Sequence, residues 1–167
     1  RSWTNQSGGT LAFAATSSVL TIGDGTAGTG NVAISVNSGS TVTLTGIGTI
    51  NLNSTSATQQ TIDSGGKTLP NIVHGGAGSS YILSAAITAN NYTVNNGTFN
   101  SGNYAMTLNS FNAGNAGTRT ITLGSTAMTV SGTSSAFSYS GVTNLTMTAN
   151  TAVVTVTTNA SGGNQIA

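Results

Sequence analysis

The sequence predicts an all-β chain, wound as a β-solenoid (parallel β-helix-like) of short strands and Gly/Asn turns. A β-sandwich is the alternative. Three observations carry this reading. Apolar residues alternate with Thr, Ser or Asn at period two, which sends one set of side chains to each face of a strand. Each run is closed by Gly, Asn or Ser, residues that supply positive φ or bond their own backbone in turns. Run centres lie about 8–14 residues apart, the spacing of short strands in all-β folds.

The stretch from Gly97 to Thr133 shows the grammar most clearly. It sets Phe99, Met106/Leu108, Phe111, Ile121/Leu123 and Met128/Val130 in alternating runs between turn residues. Before it, Trp3 and the turn Ser7–Gly9 lead into Leu11/Phe13 and then Leu20/Ile22, closed by an Asp-Gly turn. Val32/Ile34/Val36, Val42/Leu44 and Ile50/Leu52 follow in the same manner. After it come Phe137/Tyr139, Leu145/Met147 and Val153/Val154/Val156. No window places apolar residues at i, i+3, i+4 and i+7 among good helix formers, so no substantial helix is expected. Pro70, the single proline, has no N–H for a ladder and should start a strand or sit at an edge.

Two segments, SGSTVTLTGIGTINLNS and GTRTITLGSTAMTVSGT, read as two faces of one coil repeated with drift. A sandwich would call for longer strands and larger core residues. A solenoid stacks short strands in ladders of Val, Ile, Leu, Thr and Asn. The chain has 167 residues, enough for a single all-β repeat-type domain over 1–167. Aromatic residues make up only 5%, so a bulky aromatic core is not expected.

Composition narrows function by exclusion. Charged residues are 3% of the chain, where about 25% is ordinary. They are Asp24, Asp63, Arg1, Lys67 and Arg119, with His74 the only histidine. Thr, Ser, Asn and Gly fill more than half the chain. Disorder at low hydrophobicity normally accompanies high net charge, and here the net charge is +1. A nucleic-acid binder needs clustered Lys and Arg, so no nucleic-acid partner is expected. No run reaches the about 18 apolar residues of a spanning helix, and no membrane insertion is expected. The opening RSWTNQSGG lacks the apolar core of a signal peptide, so any such peptide is expected to lie outside this stretch. With no cysteine there are no disulfides and no thiolate metal sites.

The segment from Thr61 to about Val156 resembles repeats of large structural proteins of tailed phages and of bacterial surface, adhesin-like proteins. The carrying motifs are TIDSGGKTLPNIVHGG, NGTFNSGNYAMTLNSF and GNAGTRTITLGSTAMTVSGT. The resemblance implies an extended β-helical scaffold on a virion or cell surface. These motifs specify coils and turns, and no functional residue carries over.

The few reactive side chains read as structural. His74, in NIVHGGAG, is expected at a turn or on the coil surface, since a general base needs an orienting partner and a nucleophile within reach. Asp63 precedes it by a stretch that one coil could close. Asp24 and Asp63 sit in Gly turns (GDG, DSGG), far apart for the paired carboxylates of glycoside cleavage and too few for a tight calcium site. Lys67, in SGGKT, fails the phosphate-loop pattern because Thr61 stands where the first glycine belongs. No catalytic, cofactor or metal residue is therefore assigned, and an enzyme is the least expected class.

The T-x-T runs Thr41–Thr45, Thr118–Leu123 and Val154–Thr158 invite comparison with ice-binding surfaces. Ice binding would want the motif at one fixed period, which the sequence lacks. Asn-x-Ser/Thr sequons occur at Asn5, Asn53, Asn91, Asn96, Asn144 and Asn159, as chance allows in such a composition. With almost no charged residue to blunt strand edges, self-association into a homo-polymer or homo-oligomer is the expected partnership. The function expected is a structural building block of an extracellular fibre or filament, a surface filament subunit or phage tail or fibre component. An adhesin or carbohydrate-binding module, meeting a cell-surface glycan with an Asn/Thr/Tyr-lined face, is the alternative. Ice binding comes third.

Overall fold

Alternating Thr, Val, Ile and Asn make runs that suit a pleated, half-buried wall, and the chain winds such a wall around one apolar interior. The computed structural model describes residues 3–5, 8–13, 18–23, 32–44, 46, 48–133, 135–139 and 143–157. Among them are eighteen strands and no helix. In order these are β1 (Trp3–Asn5), β2 (Thr10–Phe13), β3 (Val19–Ile22), β4 (Val32–Val36), β5 (Thr41–Leu44) and β6 (Thr49–Leu52). Then come β7 (Gln59–Asp63), β8 (Thr68–Leu69), β9 (Asn71–His74), β10 (Ser80–Leu83), β11 (Ile87–Val94) and β12 (Gly97–Asn100). The last six are β13 (Met106–Asn112), β14 (Arg119–Thr122), β15 (Ala127–Val130), β16 (Phe137–Ser138), β17 (Leu145–Thr148) and β18 (Val153–Val156).

Every pairing is parallel, and consecutive strands belong to different faces, which is a β-solenoid and excludes the sandwich. The first face is a seven-stranded sheet in the order β1-β4-β7-β10-β12-β14-β17. The nine-stranded sheet runs β18-β15-β13-β11-β9-β6-β3, with β8 and β16 joining at β11 and β13. It holds two faces at once. The first half of β11 pairs with β8 and the second half with β9. The first half of β13 likewise pairs with β15 and the second half with β16. We call these halves the second and third faces. In the N-terminal coils the corner between them is open, and β2 and β5 form a separate two-stranded pair.

The two doublets read as faces of one coil are successive strands of a turn: β5 with β6, and β14 with β15. Pro70 lies buried between β8 and β9, at the register position that Asn90 fills inside the unbroken β11. The missing N–H divides in one coil what the next coil runs straight through.

Period two places the predicted apolar set inward. Phe99, Met106, Leu108, Phe111, Ile121, Leu123, Met128 and Val130 are all buried. They stack coil on coil. Tyr81, Phe99, Ile121 and Met147 form a ladder on the first face. Ile87, Met106, Met128 and Val154 form one on the second. Ile50, Ile72, Tyr92, Phe111 and Phe137 form one on the third.

The interior is more aromatic than composition suggests. Phe111 and Phe137 stack with ring centroids 5.4 Å apart, and Tyr92 stacks on Phe111 at 6.1 Å. Few aromatics suffice because in-register stacking puts several in one column, each removing about 150–250 Å² from water.

Candidate functional site

His74 lies in β9 on an inward position, fully buried, so the surface placement expected for it is corrected. Its position follows from parity: Ile72 and His74 share the inward side of a four-residue strand. The ring meets Tyr81, Tyr92 and Phe99 edge-on, at centroid distances of 4.7, 5.2 and 5.6 Å. His74 Nε2 and Tyr92 Oη are 2.8 Å apart, a hydrogen bond. His74 Nδ1 has no hydrogen-bond partner among the described residues. A buried bare lone pair costs less than a buried unpaired N–H, so we place the proton on Nε2, donating to Tyr92 Oη.

Burial drives the His74 pKa down from 6.5 to about 3, because the enclosed site desolvates the charged imidazolium. Burial also raises the phenol of Tyr92 well above its ordinary range, with the neighbouring Tyr81 adding to the shift. Burial raises Tyr81 too, partly offset by the Ser54 N–H that donates to its Oη (3.2 Å). The cluster is neutral at physiological pH. No cavity opens onto it among the described residues.

Asp63 ends β7 and serves a turn: its Oδ1 accepts from the Gly65 N–H at 2.8 Å. Gly65 adopts φ +57, and a Cβ there would stand 2.0 Å from the Val36 carbonyl oxygen of the coil below. Asp63 is on the half-exposed outer side of its strand and His74 on the inner side of another, so the coil does not bring them together. Asp24 lies outside the described residues. Lys67 is half-buried in the turn that runs into β8, a strand where a phosphate loop would need a helix.

Arg119 is the residue the sequence reading passed over. It is fully buried, on an inward position of β14 shared with Ile121. Its guanidinium donates through Nη1 to the Ala113 carbonyl and through Nη2 to the Thr143 carbonyl (3.2 Å). Burial lowers its pKa below the ordinary guanidinium range. Two carbonyl oxygens belonging to successive turns thus receive charge-assisted bonds from one fork, which ties the coils at that corner. The signal was present in TRTITL, where strict alternation puts Arg119 on the side of Ile121.

The tyrosines expected on a glycan-facing surface divide. Tyr81 and Tyr92 are buried, Tyr139 is half-buried, and Tyr104 is exposed. Asparagines are also engaged with one another. Asn90 Nδ2 donates to Asn71 Oδ1 (2.7 Å), Asn109 Nδ2 to Asn91 Oδ1 (2.9 Å), and Ser110 Oγ to the same Asn91 oxygen (2.7 Å). These amide ladders hold neighbouring coils together along the corner between the second and third faces.

No protein-family model, curated protein or solved structure matches this chain. Among the described residues the features left for function are surfaces: the outer columns of the faces and the coil of β17 and β18.

The outer columns are ordered. On the second face Thr68, Thr88, Thr107, Thr129 and Thr155 are consecutive register partners, five coils of threonine in a single file. One step to either side, Ala127 pairs with Val153 in one file, and Asn90 and Asn109 occupy the other. The first face carries Thr98, Thr120 and Thr146 in another file. The sequence showed no fixed period because the turns between stacked strands differ in length, and the register absorbs the difference.

Proposed function

We propose that this chain is a structural building block of an extracellular fibre or filament, on a cell surface or a virion, joined to its neighbours through coil ends and strand edges. The observation that carries the reading is the coil of β17 and β18. Among the described residues neither strand has a partner on its outer side. Their inward residues Leu145, Met147, Val154 and Val156 are only half-buried. The positions one coil inward, Arg119, Ile121, Met128 and Val130, are completely covered.

A core ladder that ends half-covered, beside free backbone donors and acceptors, is a template for a further parallel strand. Proteins that leave such an edge to solvent guard it with Lys, Pro or bulges. Neither β17 nor β18 contains a charge or a proline. A neighbouring repeat, an identical subunit or a trimeric partner would extend both the ladder and the core. The resemblance of residues 61–156 to phage and bacterial surface repeats points to the same setting.

Negative-stain electron microscopy of the isolated chain across a dilution series tests this. Regular fibres that persist on dilution are expected, with Met147→Lys, which sets a charge on the half-covered ladder, giving discrete short particles. Discrete particles from the native chain at every concentration would overturn the reading.

A further inference from the structure

The second face repeats one outward pattern over four coils: a small apolar residue, a threonine, then Asn, Ser or Thr. The four segments are Ala86–Asn90, Ala105–Asn109, Ala127–Ser131 and Val153–Thr157. Pairing runs through β11, β13, β15 and β18 without a register shift. Parallel strands then set neighbouring threonines about 4.8 Å apart along the file, and the three files about 6.6 Å apart across it. None of the Thr88, Thr107, Thr129 or Thr155 hydroxyls takes part in the amide ladders or turn caps described above. The face carries no charge. Its threonines are β-branched and therefore stiff at χ1, so methyl and hydroxyl groups are presented at nearly fixed positions before anything binds.

We propose that this face adsorbs to ice. An uncharged lattice of alternating methyls and hydroxyls, repeating at the strand spacing, suits a ligand that is itself a lattice of water. The strand repeat is close to the oxygen repeat along the a axis of hexagonal ice. The methyl files shed their loosely held water against the crystal while the hydroxyls donate to and accept from its oxygens.

Two other occupants fit less well. Crystalline polysaccharide is gripped by coplanar aromatic rings, and none of the outward residues of these four segments is aromatic. A second copy of the chain would gain little: four strands by five residues cover about 300 Å² at strand spacings, against about 800 Å² per partner in a stable pair. It would also strand the threonine hydroxyls unpaired in the contact. The inference does not depend on fibre assembly, since the face lies along the coil and not at its ends.

The test is thermal hysteresis of the purified chain, together with adsorption of the fluorescently labelled chain to a single-crystal ice hemisphere. The native chain is expected to give measurable hysteresis and to label defined crystal planes. Thr107→Lys, at the centre of the face, is expected to lower hysteresis at least tenfold. Thr93→Lys on the third face is expected to leave it unchanged, and Thr107→Val, which keeps the shape, to fall between. Circular dichroism checks that each variant keeps its β signal. Absence of hysteresis and of ice adsorption in the folded native chain would overturn the proposal, as would equal losses in Thr93→Lys and Thr107→Lys. Retention on crystalline cellulose or chitin in place of ice would overturn it too, and so would a dimer without ice adsorption that Thr107→Lys dissolves.

Discussion

The N-terminal coils and the central coils solve the same packing problem with different means. In β1–β6 the second and third faces are separate strands, β2 and β5 pair apart from the large sheets, and the large buried hydrophobics among the described side chains are aliphatic: Ile22, Ile34, Val36, Ile50 and Leu52. The register also shifts once there, between Val32 and Ile34. In β10–β13 the corner between those faces is gone, β11 and β13 run through it, and Tyr81, Tyr92, Phe99 and Phe111 fill the interior. One unbroken strand per two faces leaves fewer residues per coil to bury. A few large rings in register then remove as much apolar surface as a longer coil does with many small side chains. Stability should accordingly be concentrated in the central coils and spread thinly in the first ones.

The largest test of that contrast is Phe111→Ala, which opens the ring column between Tyr92 and Phe137. It should cost about 3–5 kcal/mol in urea unfolding, whereas Ile50→Val in the aliphatic coils should cost about 0.5–1.5 kcal/mol. Equal losses would mean the coils share the load evenly.

Acid provides the next test, because His74 belongs to the aromatic cluster and no aliphatic coil has a counterpart. Its pKa is lowered on folding, so the unfolded chain takes up the proton first and stability falls as pH drops from about 6.5 toward 3. By pH 5 the loss should be about 2 kcal/mol at 1.36 kcal/mol per unit. His74→Phe should flatten the profile over that window. A native profile already flat between pH 5 and 6.5 would show that the imidazolium finds compensation inside the coil.

A smaller effect is expected where the coils merely touch. A Cβ on Gly76 would stand 1.8 Å from the Ser54 carbonyl oxygen, a backbone contact that cannot turn aside. Gly76→Ala should therefore destabilise by more than about 1 kcal/mol, against the usual gain from replacing glycine. Gly66→Ala, with nothing within 4 Å but φ +74, should show the cost of backbone conformation alone. If both cost the same, coil-to-coil spacing at Gly76 is softer than drawn.

Much of this architecture was legible in the residues. The short strands, the absence of helix among the described residues and the inward set from Phe99 to Val130 follow from alternation and turn chemistry. Arg119 was legible as well, since parity alone puts it beside Ile121 on the inward side of β14. His74 was misplaced for a related reason. Its Gly-Gly neighbour suggested a turn, while Ile72 two positions earlier already marked its side of the strand as the inner one. DSGG predicts a turn role for Asp63, and its carboxylate accepts from the Gly65 N–H.

What the chain determines by itself is parity: which side chains face in, which face out, and where each run stops. That is local, because successive residues of a strand must point to opposite faces whatever lies beside them. Which coil position rests on which is a tertiary matter. The interval between stacked residues is set by turns of unequal length, so Thr88, Thr107, Thr129 and Thr155 form no period along the chain and yet one file in space. Only the closing of each coil, with parallel hydrogen bonds locking the register, turns scattered T-x-T words into a surface and scattered aromatics into a column.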